Sequence, residues 1–293
     1  MSFKFVLAAN MAVVVLETLL YALLLVAAST TLYLRFSRHG IPKLLVWNPV
    51  VLFTVLISAV SGAHWILTIV RFFDAFVGSA DAGRFYLDTQ GVQTARTLLT
   101  VAAIFIGDAA IIHRLWLIWN RSLPVIMVPL ATCFGGSIIG CAVAYVIAHP
   151  AAGAQLVLWL KASWIFTLVT NVYCTGLIIW KIWKTKRTVE HLLGDGTLVP
   201  VLIVLLESAA VWTLWGIFFA VTSEIRSPLG VIGGELSPVM VGLVNMAIYL
   251  RVELQYTREG SVRTGVAMTS SASMIPYYMS MNRASTQIPR SAA

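Results

Sequence analysis

The chain has 293 residues, 59% of them hydrophobic and 11% charged, with a formal net charge of +8 at pH 7. Soluble domains carry roughly 25% charged residues, so a mean hydropathy of +0.88 over repeated long apolar runs excludes a soluble globular fold and indicates an integral membrane protein. The basic excess sits in short connections and a tail beside those runs, where it sets orientation and meets anionic headgroups. No nucleic-acid motif accompanies it, so the lipid bilayer rather than nucleic acid is the expected partner,.

A membrane-crossing helix needs about 20 mostly apolar residues. Seven such runs occur, at roughly 9–34, 45–71, 97–119, 124–147, 156–180, 199–222 and 231–250. The expected fold class is therefore all-α, an integral membrane bundle of seven transmembrane helices spanning residues 1–250. The first run follows Lys4 as a signal peptide would, but it is longer than a typical h-region and contains Glu17, so it reads as a retained helix,. In the fourth run, Gly136 and Gly140 stand four apart and allow close helix approach,. The seventh run is the shortest and holds Pro238, tolerated where neighbours re-satisfy the freed carbonyl,. Residues 251–260 extend that helix or lie along the membrane, and the remainder to 293 is a Ser/Thr-rich tail expected to be mostly disordered,. Cys133, Cys141 and Cys174 fall within apolar runs, as small packing residues do,.

Lys and Arg in the connections predict orientation. One set of connections holds Arg35, Arg38, Lys43, Arg121, Lys181, Lys184, Lys186, Arg187, Arg251, Arg258 and Arg263, while the opposite set holds Lys4, Arg71, Arg84, Arg96 and Arg226. The bias places the N-terminus outside and the C-terminus in the cytosol, with the plasma membrane as the expected location. Trp47, Trp116, Trp119, Trp180 and Trp183 gather near the inner interface of that topology, as an aromatic belt does,.

Ionisable groups inside spans are expensive and usually face the bundle interior, paired or functional. The stretch FIGDAAIIHRLWLIWN in the third span carries Asp108, His113 and Arg114. Asp108 falls near mid-membrane, and Arg114 lies about 9 Å further toward the cytosol and some 120° around the helix, so each needs partners on other helices. Glu207 in the sixth span matches Arg114 in depth, which predicts an Arg114–Glu207 contact with His113 beside it. Further polar stripes are Asn10, Glu17 and Tyr21 in the first span; Ser61, His64, Thr68 and Arg71 in the second; and Thr167, Asn171, Cys174 and Thr175 in the fifth. Asn245 and Tyr249 mark the seventh, with Glu235 at its outer mouth. Together they suggest a polar-lined interior, with Glu17, Tyr21, His64, Asp108 and Asn171 as candidates for a ligand cavity.

The seventh span has no lysine for a retinal Schiff base, the five histidines are scattered, and no HExxH, GxSxG or phosphate loop occurs,. No cofactor and no metal are expected.

The segments GDAAIIHRLWLIWN, TNVYCTGLIIWKIWK, LLESAAVWTLW and LSPVMVGLVNMAIYLRV resemble an expanded, largely uncharacterised family of seven-helix membrane proteins of mushroom-forming fungi, over nearly the whole transmembrane region. Members of that family often have Tyr where His113 precedes the arginine. More distantly, the plan resembles G-protein-coupled receptors: His113-Arg114 stands where many carry an acid–Arg pair, and Asn245 and Tyr249 lie near the place of a helix-7 Asn-Pro-x-x-Tyr motif. That proline is missing, Met246 standing in its place, and so is the exterior cysteine bridge. The resemblance implies a receptor for a small-molecule or lipid ligand, switching through the third and sixth spans. A heterotrimeric G protein would meet Lys181, Lys184, Lys186 and Arg187. Two alternatives stand beside it. One is an intramembrane enzyme of terpene-cyclase type using Glu17, Asp108 and Glu207 as proton donors. The other is a transporter or scaffold.

Overall fold

A computed structural model describes residues 3–39, 48–78, 85, 90–149, 156–189, 198–225, 227 and 229–254. The described residues are almost wholly helical: α1 (Phe3–His39), α2 (Pro49–Phe73), α3 (Gln90–Ile118), α4 (Leu123–Ala148), α5 (Leu156–Val189), α6 (Leu198–Glu224), a short α7 (Leu229–Glu235) and α8 (Ser237–Leu254). Seven of these, all but α7, are long and apolar enough to cross a membrane. By its internal contacts the chain divides into residues 1–251, which form the bundle, and 252–293, of which only 252–254 are described, all helical. The expected disorder beyond 260 concerns residues outside those described.

Prolines mark the helix starts. Asn48 caps α2 with its side chain accepting from the Val50 N–H at 3.2 Å, and Pro49 follows in the first turn, where its missing N–H costs nothing,. Pro124 does the same for α4. Pro238 was expected to interrupt the seventh span, but it is the second residue of α8, after the break at Leu236. Pro129 does sit inside α4 and leaves the Val125 carbonyl without its helical donor; the Tyr173 hydroxyl of α5 donates to that carbonyl at 3.4 Å,.

Two boundaries differ from expectation. The third helix begins at Gln90 rather than near 97, which draws Arg96 out of the presumed loop and into the bundle, 2% exposed. The fifth continues to Val189 rather than 180, because no glycine or proline intervenes before Gly194,. The basic stretch from Lys181 therefore begins on a helix, not in a loop.

The seventh span is the central one: 56% of its residues are buried, against 22% to 33% in each of the other six. Val241, Met246 and Tyr249 of α8 form one core with Leu24 and Ala28 of α1, Ile57 of α2 and Trp212 of α6. Glycines permit the closest approaches. Gly107 of α3 lies against Val241 and Asn245, Gly242 against Leu24, and Gly140 of α4 against Val101 of α3,. Outward faces carry Leu19, Val26, Ile66, Ile138, Leu158 and Leu214, exposed apolar side chains suited to lipid contact,.

Candidate functional site

Three buried polar assemblies lie along the bundle. The first occupies the end where α2 stops and α3 starts. The fully buried Glu17 of α1 meets His64 of α2, with Oε1 2.7 Å from Nδ1. The opposite ring nitrogen of His64 is 3.4 Å from Glu235 at the end of α7. Arg96 of α3 closes the group, with Nη2 2.6 Å from the Glu235 carboxylate and donating to Thr68 at 3.0 Å. Gln93 donates to Glu235 at 3.0 Å and accepts from Arg71. Burial would push the Glu235 carboxyl up, but the Arg96 guanidinium, the His64 ring and the Gln93 amide outweigh it and hold the group well below the usual carboxylate range,. One network thus pins α1, α2, α3 and α7 together.

The sequence marked Glu17 and His64 and placed Glu235 at the mouth; it set Arg71 in the second span's polar stripe while also tallying it with the connections, and it counted Arg96 as a loop charge. Both are buried. Tyr21, expected to line a cavity, stacks on Trp65 at 5.2 Å with its hydroxyl beside Gly62, and so serves α1–α2 packing.

The second assembly is at mid-bundle. Asp108 of α3 accepts from the Thr167 hydroxyl of α5, with oxygens at 2.8 and 3.0 Å. It lines an internal space of about 30 Å³, enough for one or two waters. Asn171, Thr175, Asn245 and Arg114 face the same space, and Thr175 donates to Asn171 at 3.2 Å. Asp108 and Asn171, both expected at a ligand cavity, line one space of water size.

The third assembly centres on Arg114. Its Nη2 donates to Asn245 Oδ1 at 3.1 Å, and its guanidinium lies 4.1 Å from the centroid of the Tyr249 ring,. Its Nε and Nη1 are buried without a hydrogen-bond partner. The expected Arg114–Glu207 contact is not made. Glu207 is 56% exposed and accepts from Arg251 at 2.7 Å, while its neighbours Ser208 and Trp212 turn inward. One residue of rotation on α6, turning Ser208 inward in place of Glu207, leaves the carboxylate outside the bundle,. Arg114 of α3 is thus joined to α8, not α6. His113 packs between Phe53 at 5.9 Å and Trp116 at 6.1 Å. It lines, with Arg114, a larger cleft at the end where α1 stops and α2 starts.

Beyond that end, Lys181 lies over Trp119 at 5.2 Å and Lys184 over Trp180 at 5.9 Å. The side chains of Lys186 and Arg187 lie outside those described. The φ angles of 52° at Asn120 and 61° at Arg121 let the chain reverse within four residues between α3 and α4,.

The cyclase-type alternative needed two of its three acids around one dry cavity. Glu17 is instead engaged with His64, Asp108 with Thr167 and Glu207 with Arg251, and no two of them share a partner. Among the described residues, no group of three or more His, Cys, Asp or Glu is placed to hold a metal ion.

Fold and site together define a seven-helix membrane protein with a polar, partly ionic interior. No protein-family model, curated protein or solved structure matches the chain.

Proposed function

We propose that this chain is a receptor-like protein of the plasma membrane, related to the seven-helix proteins of mushroom-forming fungi, with its N-terminus outside and a G protein as its cytosolic partner. The observation that carries the reading is the state of Arg114. A buried guanidinium normally has its donors satisfied, and here two are not. Two free donors leave the guanidinium able to take another partner, and a switch would use that capacity. Helices α3 and α7–α8 touch at both ends, through Arg96–Glu235 and through Arg114–Asn245. A small or lipidic ligand that rearranged the Glu17–His64–Glu235–Arg96 network would shift α3 against α8 and change the Arg114 contact. The coupling operates only if the ligand binds the two states with different affinity.

The test is guanine-nucleotide exchange on a panel of co-expressed Gα subunits, comparing wild type with Arg114→Ala and Asn245→Ala at matched surface expression. Exchange that is lost or made constitutive in either variant supports the proposal. Identical exchange in all three proteins, or none on any Gα, overturns coupling through this residue.

A further inference from the structure

We propose that the cleft beside Arg114 is a binding site for a phosphate-bearing anion. The cleft encloses about 290 Å³ and is lined by Arg35, Asn48, His113, Arg114 and Tyr249, with none of its lining residues acidic. Arg114 stands at its inner wall with Nε and Nη1 buried and lacking a hydrogen-bond partner, while Nη2 alone is engaged, by Asn245. The nearest carboxylate on the same helix is Asp108, which faces Arg114 across the smaller internal space and has Thr167 on both its oxygens. A guanidinium with two unused donors is suited to bidentate capture of a tetrahedral oxyanion.

Two further features favour the same charge. Asn48, Pro49 and Val50 form the first turn of α2 and border the cleft, so the positive end of that helix dipole lies at its wall,. The cleft also sits where three spans end: Arg35 is two residues from the end of Leu7–Ser37, Pro49 begins Pro49–Val77, and Leu117 is next to last in Gly91–Ile118. That is headgroup level. In the orientation expected from the sequence it faces the cytosolic leaflet, where anionic lipids concentrate. The volume suits one headgroup rather than a drug-sized ligand. The inference rests on the cleft and not on the receptor proposal, because binding is measured without any signalling partner.

The experiment uses the full chain in phosphatidylcholine nanodiscs, with two probes. Phosphatidic acid doped into the disc is scored by native mass spectrometry of retained lipid. Inorganic phosphate is scored by the shift in Tm against chloride at equal ionic strength. Two variants accompany wild type: Arg114→Gln removes the positive charge and the guanidinium fork, and Leu117→Trp, at an exposed lip position, fills the cleft while leaving every charge in place and guards against misfolding of the first,. Retention of phosphatidic acid by wild type, weakened about tenfold in both variants as expected for loss of charge-assisted hydrogen bonds, assigns the site to a lipid headgroup. Protection by inorganic phosphate alone, lost in both variants, assigns it to a soluble phosphate. Wild type that distinguishes neither probe from its control, or variants that bind as wild type does, overturns the proposal.

Discussion

Arg96 and Glu235 show how much a single buried pair weighs in this bundle. Arg96 is 2% exposed, so removing Glu235 would leave a guanidinium whose one remaining hydrogen-bond partner among the described residues is Thr68, beside His64. Breaking one side of a buried pair costs about 3–5 kcal/mol, whereas replacing both sides with apolar residues is often near neutral. Arg96→Met is therefore expected to lower stability by about that amount, and the double variant Arg96→Met/Glu235→Leu by less than either single change. Thermal unfolding in one detergent, followed by a double-mutant cycle, measures both. A double variant as unstable as the sum of the singles would show that the two side chains do not act as a pair. Asn245→Ala is a milder change, because Arg114 keeps its place over Tyr249; about 0.6 kcal/mol is expected for one interhelical hydrogen bond.

Helices were far more legible in the sequence than their faces. The seven runs correspond to seven spanning helices because a run of some 20 apolar residues admits almost no other structure in lipid. The third helix was placed by its apolar run, which gathers strength only near 97; the capping types Asp88 and Thr89 just before Gln90 were the local signal of an earlier start, and without them Arg96 looked like a loop charge,. Pairing failed for a different reason. Depth follows from counting residues, but the direction of Glu207 depends on the rotation of α6, which a two-residue polar signal does not fix. The second and fifth stripes were read correctly as buried because several polar residues recur at helical spacing,.

Close packing of α3 on α8 provides an element-scale test. A methyl group added at Gly107 would run into Val241 Cγ1, whereas one added at Gly91 would meet nothing within 4 Å. Gly107→Ala should cost about 1–3 kcal/mol through overpacking, and Gly91→Ala should be neutral or slightly stabilising, up to about 1 kcal/mol from helix propensity. Because Asn245 also borders Gly107, the first substitution should disturb the Arg114–Asn245 contact as well. Comparable Tm values for the two variants would mean that the α3–α8 approach is looser than the structure has it.

Orientation is decided by the whole molecule. Of the five cations assigned to the N-terminal side, Arg71 and Arg96 are spent inside the network with Gln93 and Glu235. On the other side, Arg251 is exposed even while holding Glu207, and Lys181 and Lys184 lie over tryptophan rings as interfacial cations do,. A cytosolic C-terminus is the orientation expected from the charge bias of the sequence, and it is open to direct test. Single cysteines in a background lacking Cys133, Cys141 and Cys174 test it. Ser79→Cys in intact cells should react with a membrane-impermeant maleimide, and Arg121→Cys should react only after permeabilisation. The reverse pattern would invert the topology. It would also place the cleft beside Arg114 at the outer leaflet, out of reach of cytosolic-leaflet lipids and of any G protein.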